Sequence, residues 1–165
     1  MLFRTDSGYR IVTNALTRER VQQWLELHAK NYACSIEWRN DLCLFSIQGP
    51  ETRERLPAVL NSSKANHVKN LQQHSAALAG DWLISCTGFT GEDGIEIMLP
   101  AKQAIDFMND LVGAGISPIG IGARDTLRLE AGFNLYGFDM TEETSPLVAN
   151  MDHLIHWQPE SRDFI

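Results

Sequence analysis

The chain has 165 residues, 44% of them hydrophobic and 21% charged, which is the composition of an ordinary globular domain with enough apolar surface for a core and excludes a disordered segment. A formal net charge of -7 gives no basic field for phosphate backbones or anionic lipid, so nucleic-acid and membrane-surface binding are not expected.

Residues 1–14, MLFRTDSGYRIVTN, read as two short strands across an Asp6-Ser7-Gly8 turn, with Tyr9, Ile11 and Thr13 alternating against Arg10, Val12 and Asn14. In LTRERVQQWLELHAKNY, Thr17 stands where a cap is needed, and Val21, Trp24, Leu25, Ala29 and Tyr32 recur at helical spacing. That pattern predicts a helix with one core face. CSIEW and CLFSIQG bracket Asn40-Asp41 as a second hairpin, and PETRERLPAVL is a short helix with Pro50 at its start and Pro57 ending or kinking it. NSSKANHVKNLQQHS is polar without a clear period and reads as a loop with Lys64 and Lys69 solvated.

A strand pattern returns in AALAGDWLISCTG and GIEIMLP, joined by FTGED. AKQAIDFMNDLVGAG is an amphipathic helix stopped by Gly113 or Gly115. Strand-like SPIGIG leads into ARDTLRLEAG, a helix ended by Gly132, and the loop-rich remainder finishes in an apolar strand, HLIHW. The mixture of hairpins and short crossovers predicts an α+β fold with a mainly antiparallel sheet and packed helices. No stretch approaches a membrane span, and Arg4, Asp6 and Arg10 interrupt any signal-peptide-like run. Cys34, Cys43 and Cys86 form no CxxC pair and have no cation nearby in sequence, so they read as buried, unreactive thiols of a reducing compartment, cytoplasmic or an organelle matrix.

Three features carry chemistry. The glycines of GFTGEDGIEI run into a strand, which fits a tight β-connection with positive φ at Gly91 or Gly94 better than a phosphate loop, since a phosphate loop needs a helix behind it. Glu96, between Ile95 and Ile97, points to the opposite strand face, which is either solvent or a site. A carboxylate there can accept paired hydrogen bonds from adjacent ring N–H and exocyclic amino donors, as a guanine-like or pterin edge presents. Arg124 and Arg128, four apart on one helix, are either surface ion-pairing residues with Asp125 and Glu130 or an anion site, with Arg124 the better candidate because it opens the helix. The five histidines do not cluster as metal ligands, so no metal is expected.

CTGFTGEDGIEIMLP, SPIGIGARDTLRLEAGFNLYGFDMTEETSPL and IHWQPESRDFI, with YRIVTNALTRERVQQWL before them, resemble the glycine cleavage T-protein (aminomethyltransferase) family in order and spacing. The resemblance implies tetrahydrofolate-dependent transfer of an aminomethyl group from the lipoyl arm of H-protein, giving ammonia and methylenetetrahydrofolate. It also implies an incomplete folate-binding fold with ferredoxin-like elements over residues 1–165, without a second complete domain. On it, Glu96 would hold the pterin edge and Arg124 would approach the folate tail. Val12, Asn14 and Phe133 would line the pocket, and Phe89 would stack where relatives usually carry Tyr.

Relatives also have an Asp-Asp segment ahead of the strand that matches Met1 to Arg4, and a barrel domain beyond RDFI. Neither is in these 165 residues, and no catalytic residue is assigned among them. The chain is therefore expected to be weak or inactive, and its uncovered sheet edges are expected to favour self-association. A non-catalytic folate-binding module, an inert remnant, and a folate domain of a flavin-linked dehydrogenase are the alternatives. The KGCYxGQE-like segment of a T-protein-like family is absent, since ESRDFI stands in its place.

Overall fold

The computed structural model describes residues 1–155. They fall into two compact units, residues 1–88 with 92–118 and residues 89–91 with 119 onward. The fold is α+β.

In the first unit, β1 (Leu2–Thr5) and β2 (Gly8–Ile11) form the expected hairpin, and β3 (Leu42–Gln48), β4 (Ala76–Ala79), β5 (Trp82–Ser85) and β6 (Gly94–Pro100) form a sheet of order β3-β6-β5-β4, antiparallel throughout. The helices are α1 (Arg18–Ala29), α2 (Thr52–Arg55), α3 (Ser62–Asn70) and α4 (Ala104–Gly113). Period-2 alternation gives the sheet two different faces. Ile47, Ile84, Ile95, Ile97 and Leu99 pack on one side against Leu56, Val68, Phe107 and Leu111 from the helical layer. Burying each such side chain contributes about 1.5–3 kcal/mol. The Phe107 ring meets Trp82 and Phe45 edge-on at 5.0 and 5.1 Å between centroids. On the other side Leu83 and Met98 pack with Phe3 of β1 and with Val12 just beyond β2.

Several expectations need correction. Cys34–Trp38 is not a strand; β3 pairs with β6 instead, Cys43 opposite Leu99. Residues before β3 are held by side chains, with Trp38 Nε1 donating to Glu26 at 3.1 Å and Arg39 gripping Asp41 through two 2.8 Å hydrogen bonds that pull the Asp41 carboxyl down to about 2. The polar segment read as a loop contains α3, capped by Asn61, whose side chain accepts from Lys64 N at 3.0 Å. Val68 is the buried residue of that helix, too little to print a period, and Lys64 lies over the Trp82 ring at 3.6 Å instead of being merely solvated.

Helix α1 forms where its period placed it, but it buries no residue and Thr17 makes no side-chain cap. None of its residues joins either apolar cluster, Val21, Leu25 and Ala29 being only half-buried, and Trp24 stacks on His28 one turn away. The outward face of β2 likewise carries Tyr9 and Ile11, both exposed. Of the three cysteines Cys34 is exposed, Cys43 half-buried and Cys86 buried. A cation does reach Cys86: Arg53 Nη2 donates to its Sγ at 2.9 Å, while Arg53 Nε donates to Asp93 at 2.7 Å. Arg53 lies 33 residues away in sequence, so only the fold brings it there.

In the second unit the helix is α5 (Ile121–Glu130). It starts before Arg124, which is therefore its fourth residue, and SPIGIG is not a strand. The helix ends in a Schellman motif: Gly132 takes φ +74°, its N–H donates to Leu129 O at 3.0 Å, and Phe133 N donates to Arg128 O at 2.8 Å. Asp152–Leu154 is a 3-10 turn where a strand was expected, and His156 and Trp157 of that strand lie outside the described residues.

Candidate functional site

Glu96 occupies the middle of β6, opposite Ser46 of β3 and Ser85 of β5. Its side chain is on the face of Met98, and the residue is 8% exposed, so the solvated-face alternative does not hold. Burying a carboxylate is unfavourable unless hydrogen bonds replace the lost water. Here the replacement is partial. Thr87 Oγ1 donates to Glu96 Oε2 at 2.5 Å, and Ser85 Oγ lies 2.9 Å from Thr87 Oγ1 and donates to the Glu96 main-chain oxygen at 3.3 Å. No hydrogen bond or ion pair among the described residues reaches Oε1. The carboxylate therefore retains accepting capacity for a donor from outside the chain.

Val12 lies among the residues packed on this face, with Phe3, Leu83 and Met98. Asn14 does not join it as a free polar group: it is exposed, and its side chain caps the turn Ala15–Thr17 by accepting from Leu16 N at 3.1 Å.

The second unit holds the other expected residues. The Phe89 and Phe133 rings stack with centroids 5.6 Å apart and planes 17° from parallel, and the Arg124 guanidinium lies 5.6 Å from the Phe89 ring centre. Gly91, at φ +75°, permits the close approach behind this stack, because a Cβ there would stand 2.6 Å from Ala131 Cβ. The Schellman turn sets Phe133, whose carbonyl also accepts from Arg128 Nη1 at 3.1 Å.

The two arginines of α5 separate in role. Arg128 is buried and tied to Asp125 at 2.9 Å and to Asp139, whose carboxyl is held below its ordinary value by the Leu135 N–H and by Arg128. Arg124 Nε is buried without a partner. An unpartnered buried donor is unfavourable by about 1–3 kcal/mol and is rare in native folds unless water, an ion or a ligand completes it.

Sequence reasoning missed Ser85, Thr87 and Gln48 around Glu96. Ser85 is placed on the face of Glu96 by the β5–β6 register, and Thr87 lies past the end of β5, so only the fold brings its hydroxyl to the carboxylate. It also assigned positive φ to Gly91 or Gly94; Gly91 has it, whereas Gly94 is required for a different reason, the close approach of Gln48. Among the described residues no group of three or more His, Cys, Asp or Glu side chains is arranged to hold a metal, and no helix is long and apolar enough to cross a membrane.

The GCVT N-terminal domain family matches residues 2–159. An aminomethyltransferase of Pseudomonas syringae pv. tomato is 47% identical over 165 residues, covering 100% of this chain and 46% of the relative, and one of Alcanivorax borkumensis is 50% identical over 151 residues, covering 92% and 42%. The crystal structure of glycine cleavage system aminomethyltransferase T from Bartonella henselae superposes with a TM-score of 0.77 at 33% identity, covering 88% of this chain and 39% of that one. Antiparallel α+β architecture and these relatives define a domain of the aminomethyltransferase class. The chain belongs to the GCVT N-terminal domain family and spans less than half the length of the relatives named here.

Proposed function

We propose that this chain binds tetrahydrofolate, as the folate-holding part of aminomethyl transfer from lipoyl H-protein, with methylenetetrahydrofolate and ammonia as products. The single observation that carries the reading is Glu96: a buried strand carboxylate with one oxygen engaged by Thr87 and the other available. The amino and ring N–H groups of a pterin offer the paired donors that such a carboxylate lacks. Val12 and Asn14 are assigned to the pterin pocket, Asn14 through its amide once the cap bond is counted. Phe89 and Phe133 are assigned to stacking, and Arg124 to the carboxylate-bearing tail, on the strength of its unpartnered Nε. No residue of the 165 is assigned the catalytic carboxylate, and the isolated chain is proposed to be weak or inactive in turnover.

Calorimetry with 5-formyltetrahydrofolate, a stable reduced folate, tests the binding claim. Saturable heat at micromolar ligand is expected, and no heat at high micromolar ligand would defeat it. Ammonia release from aminomethyl-loaded H-protein tests turnover; a rate equal to that of a full-length aminomethyltransferase would refute the claim of weak activity.

Self-association is proposed through the edge of β3. Gly49 N donates to Asp93 O and Ala101 N to Asp41 O, both at 2.8 Å. Alternation between these ends turns Cys43, Phe45 and Ile47 toward β6 and leaves the N–H and C=O of Leu42, Leu44 and Ser46 facing outward. That uncharged edge is a template for a second strand. A monomeric mass by light scattering at micromolar concentration would contradict it. The free thiols suit a reducing compartment, cytoplasm or organelle matrix.

A further inference from the structure

Glu96 is held by one hydroxyl, so whatever fixes Thr87 also fixes the carboxylate. Thr87 follows the end of β5 and is not itself in a strand. Its carbonyl accepts from Gln48 Nε2 at 3.1 Å, and the same nitrogen donates to Ser46 Oγ at 3.1 Å. Because a carbonyl only accepts, the Gln48 amide must present its NH2 to Thr87. Gln48 closes β3, 39 residues earlier, and thus ties that strand to the residue that holds Glu96 on β6.

Space for this side chain is reserved by two separate glycines. A Cβ on Gly88 or on Gly94 would overlap the Gln48 carboxamide, and neither glycine has a positive φ that would otherwise call for it. The carboxamide therefore lies in a notch between the residue after Thr87 and the first residue of β6. We propose that Gln48 is a positioning residue for the Glu96 carboxylate: seated between Gly88 and Gly94, it fixes Thr87 so that its hydroxyl is aimed at Oε2 and Oε1 is left for the ligand. The ligand part of this statement rests on the folate reading above.

The test uses the full 165-residue chain with Gln48→Leu, Gly94→Ala and the double variant. Gln48→Leu removes the donor at similar volume. Gly94→Ala leaves the donor but displaces it, since the far end of a flexible side chain yields to the added methyl. The first readout needs no ligand: the Thr87 χ1 rotamer from three-bond scalar couplings, single in the parent and averaged in both variants. The second is calorimetric affinity for 5-formyltetrahydrofolate, expected to weaken about ten-fold in each single variant, on the scale of one positioned hydrogen bond to a charged group. The double variant should be no weaker than Gln48→Leu, because both changes remove one interaction.

A single Thr87 rotamer in Gln48→Leu would overturn the proposal. So would a lower melting temperature with unchanged folate affinity, the signature of a purely structural staple. If Gln48→Leu does not fold, Gln48→Asn, which keeps the amide but withdraws it by one methylene, gives the same two readouts. Glu96→Gln run in parallel separates the two claims: unchanged affinity in that variant removes the folate reading, while rotamer averaging in Gln48→Leu still upholds the hold of Gln48 on Thr87.

Discussion

Replacing Glu96 by glutamine should move stability and binding in opposite directions. At 8% exposure the carboxylate has lost most of its water, a loss of several kcal/mol, and the Thr87 hydroxyl at 2.5 Å returns about 1.5–3 kcal/mol. The unliganded site is left short by about 1 kcal/mol on this balance. Glutamine keeps an acceptor for Thr87 and removes the charge, so the melting temperature of the free chain should rise by about 3 °C. The ligand sees the reverse. Two donors that faced a carboxylate would face one acceptor and one NH2 group, losing about 3 kcal/mol, roughly 100-fold in Kd for 5-formyltetrahydrofolate. Scanning calorimetry and titration calorimetry on the same preparation read both quantities. A melting temperature several degrees lower with unchanged Kd would refute the reasoning, because it would make Glu96 a structural residue satisfied by the protein alone.

Other perturbations follow from the same geometry. Ile97→Ala, at a fully buried position of the β6 core face, should cost about 2–5 kcal/mol in urea-induced unfolding. Gly91→Ala meets both φ +75° and the Ala131 methyl, so it should destabilise by more than 1 kcal/mol and raise amide exchange in α5. Asn61→Ala removes the α3 cap and should cost about 1 kcal/mol by the same urea assay. The Asp139 carboxyl is held below its ordinary value of 3.8 by the Leu135 N–H and Arg128. Its contribution is thus complete above that ordinary value and is lost as pH falls through the lower folded one. Asp139→Asn should accordingly flatten the acid limb of a melting-temperature profile as pH falls below the ordinary value of 3.8; an unchanged profile would remove Asp139 from the account.

The sheet was legible because β5 and β6 are dense in apolar residues, Trp82 to Ile84 in one and Ile95 with Ile97 to Leu99 around Glu96 in the other, and the hairpin β1–β2 through its turn. What failed was legible only in part for a physical reason. The α1 period is real, but period says which residues share a face, not whether a surface exists to receive them. For α3 the reverse holds: one buried valine and an asparagine cap suffice to make a helix with almost no apolar pattern. The Cys34–Trp38 strand was inferred as one arm of a hairpin across Asn40-Asp41, but strand formation depends on the partner actually reached, and β3 finds its partner in β6.

Arg124 and Arg128 show where sequence reading of a site must stop. Both sit on α5 with an acidic residue nearby, and spacing treats them alike. Asp139, eleven residues beyond Arg128, distinguishes them, because it turns back to meet Arg128 and leaves Arg124 Nε with no partner. The same logic governs Glu96, whose neighbours Thr87 and Gln48 come from two other segments. In each case the chemically available group is the one whose long-range partners do not fully satisfy it. Availability is therefore a property of the tertiary hydrogen-bond network, and a residue type can only nominate it.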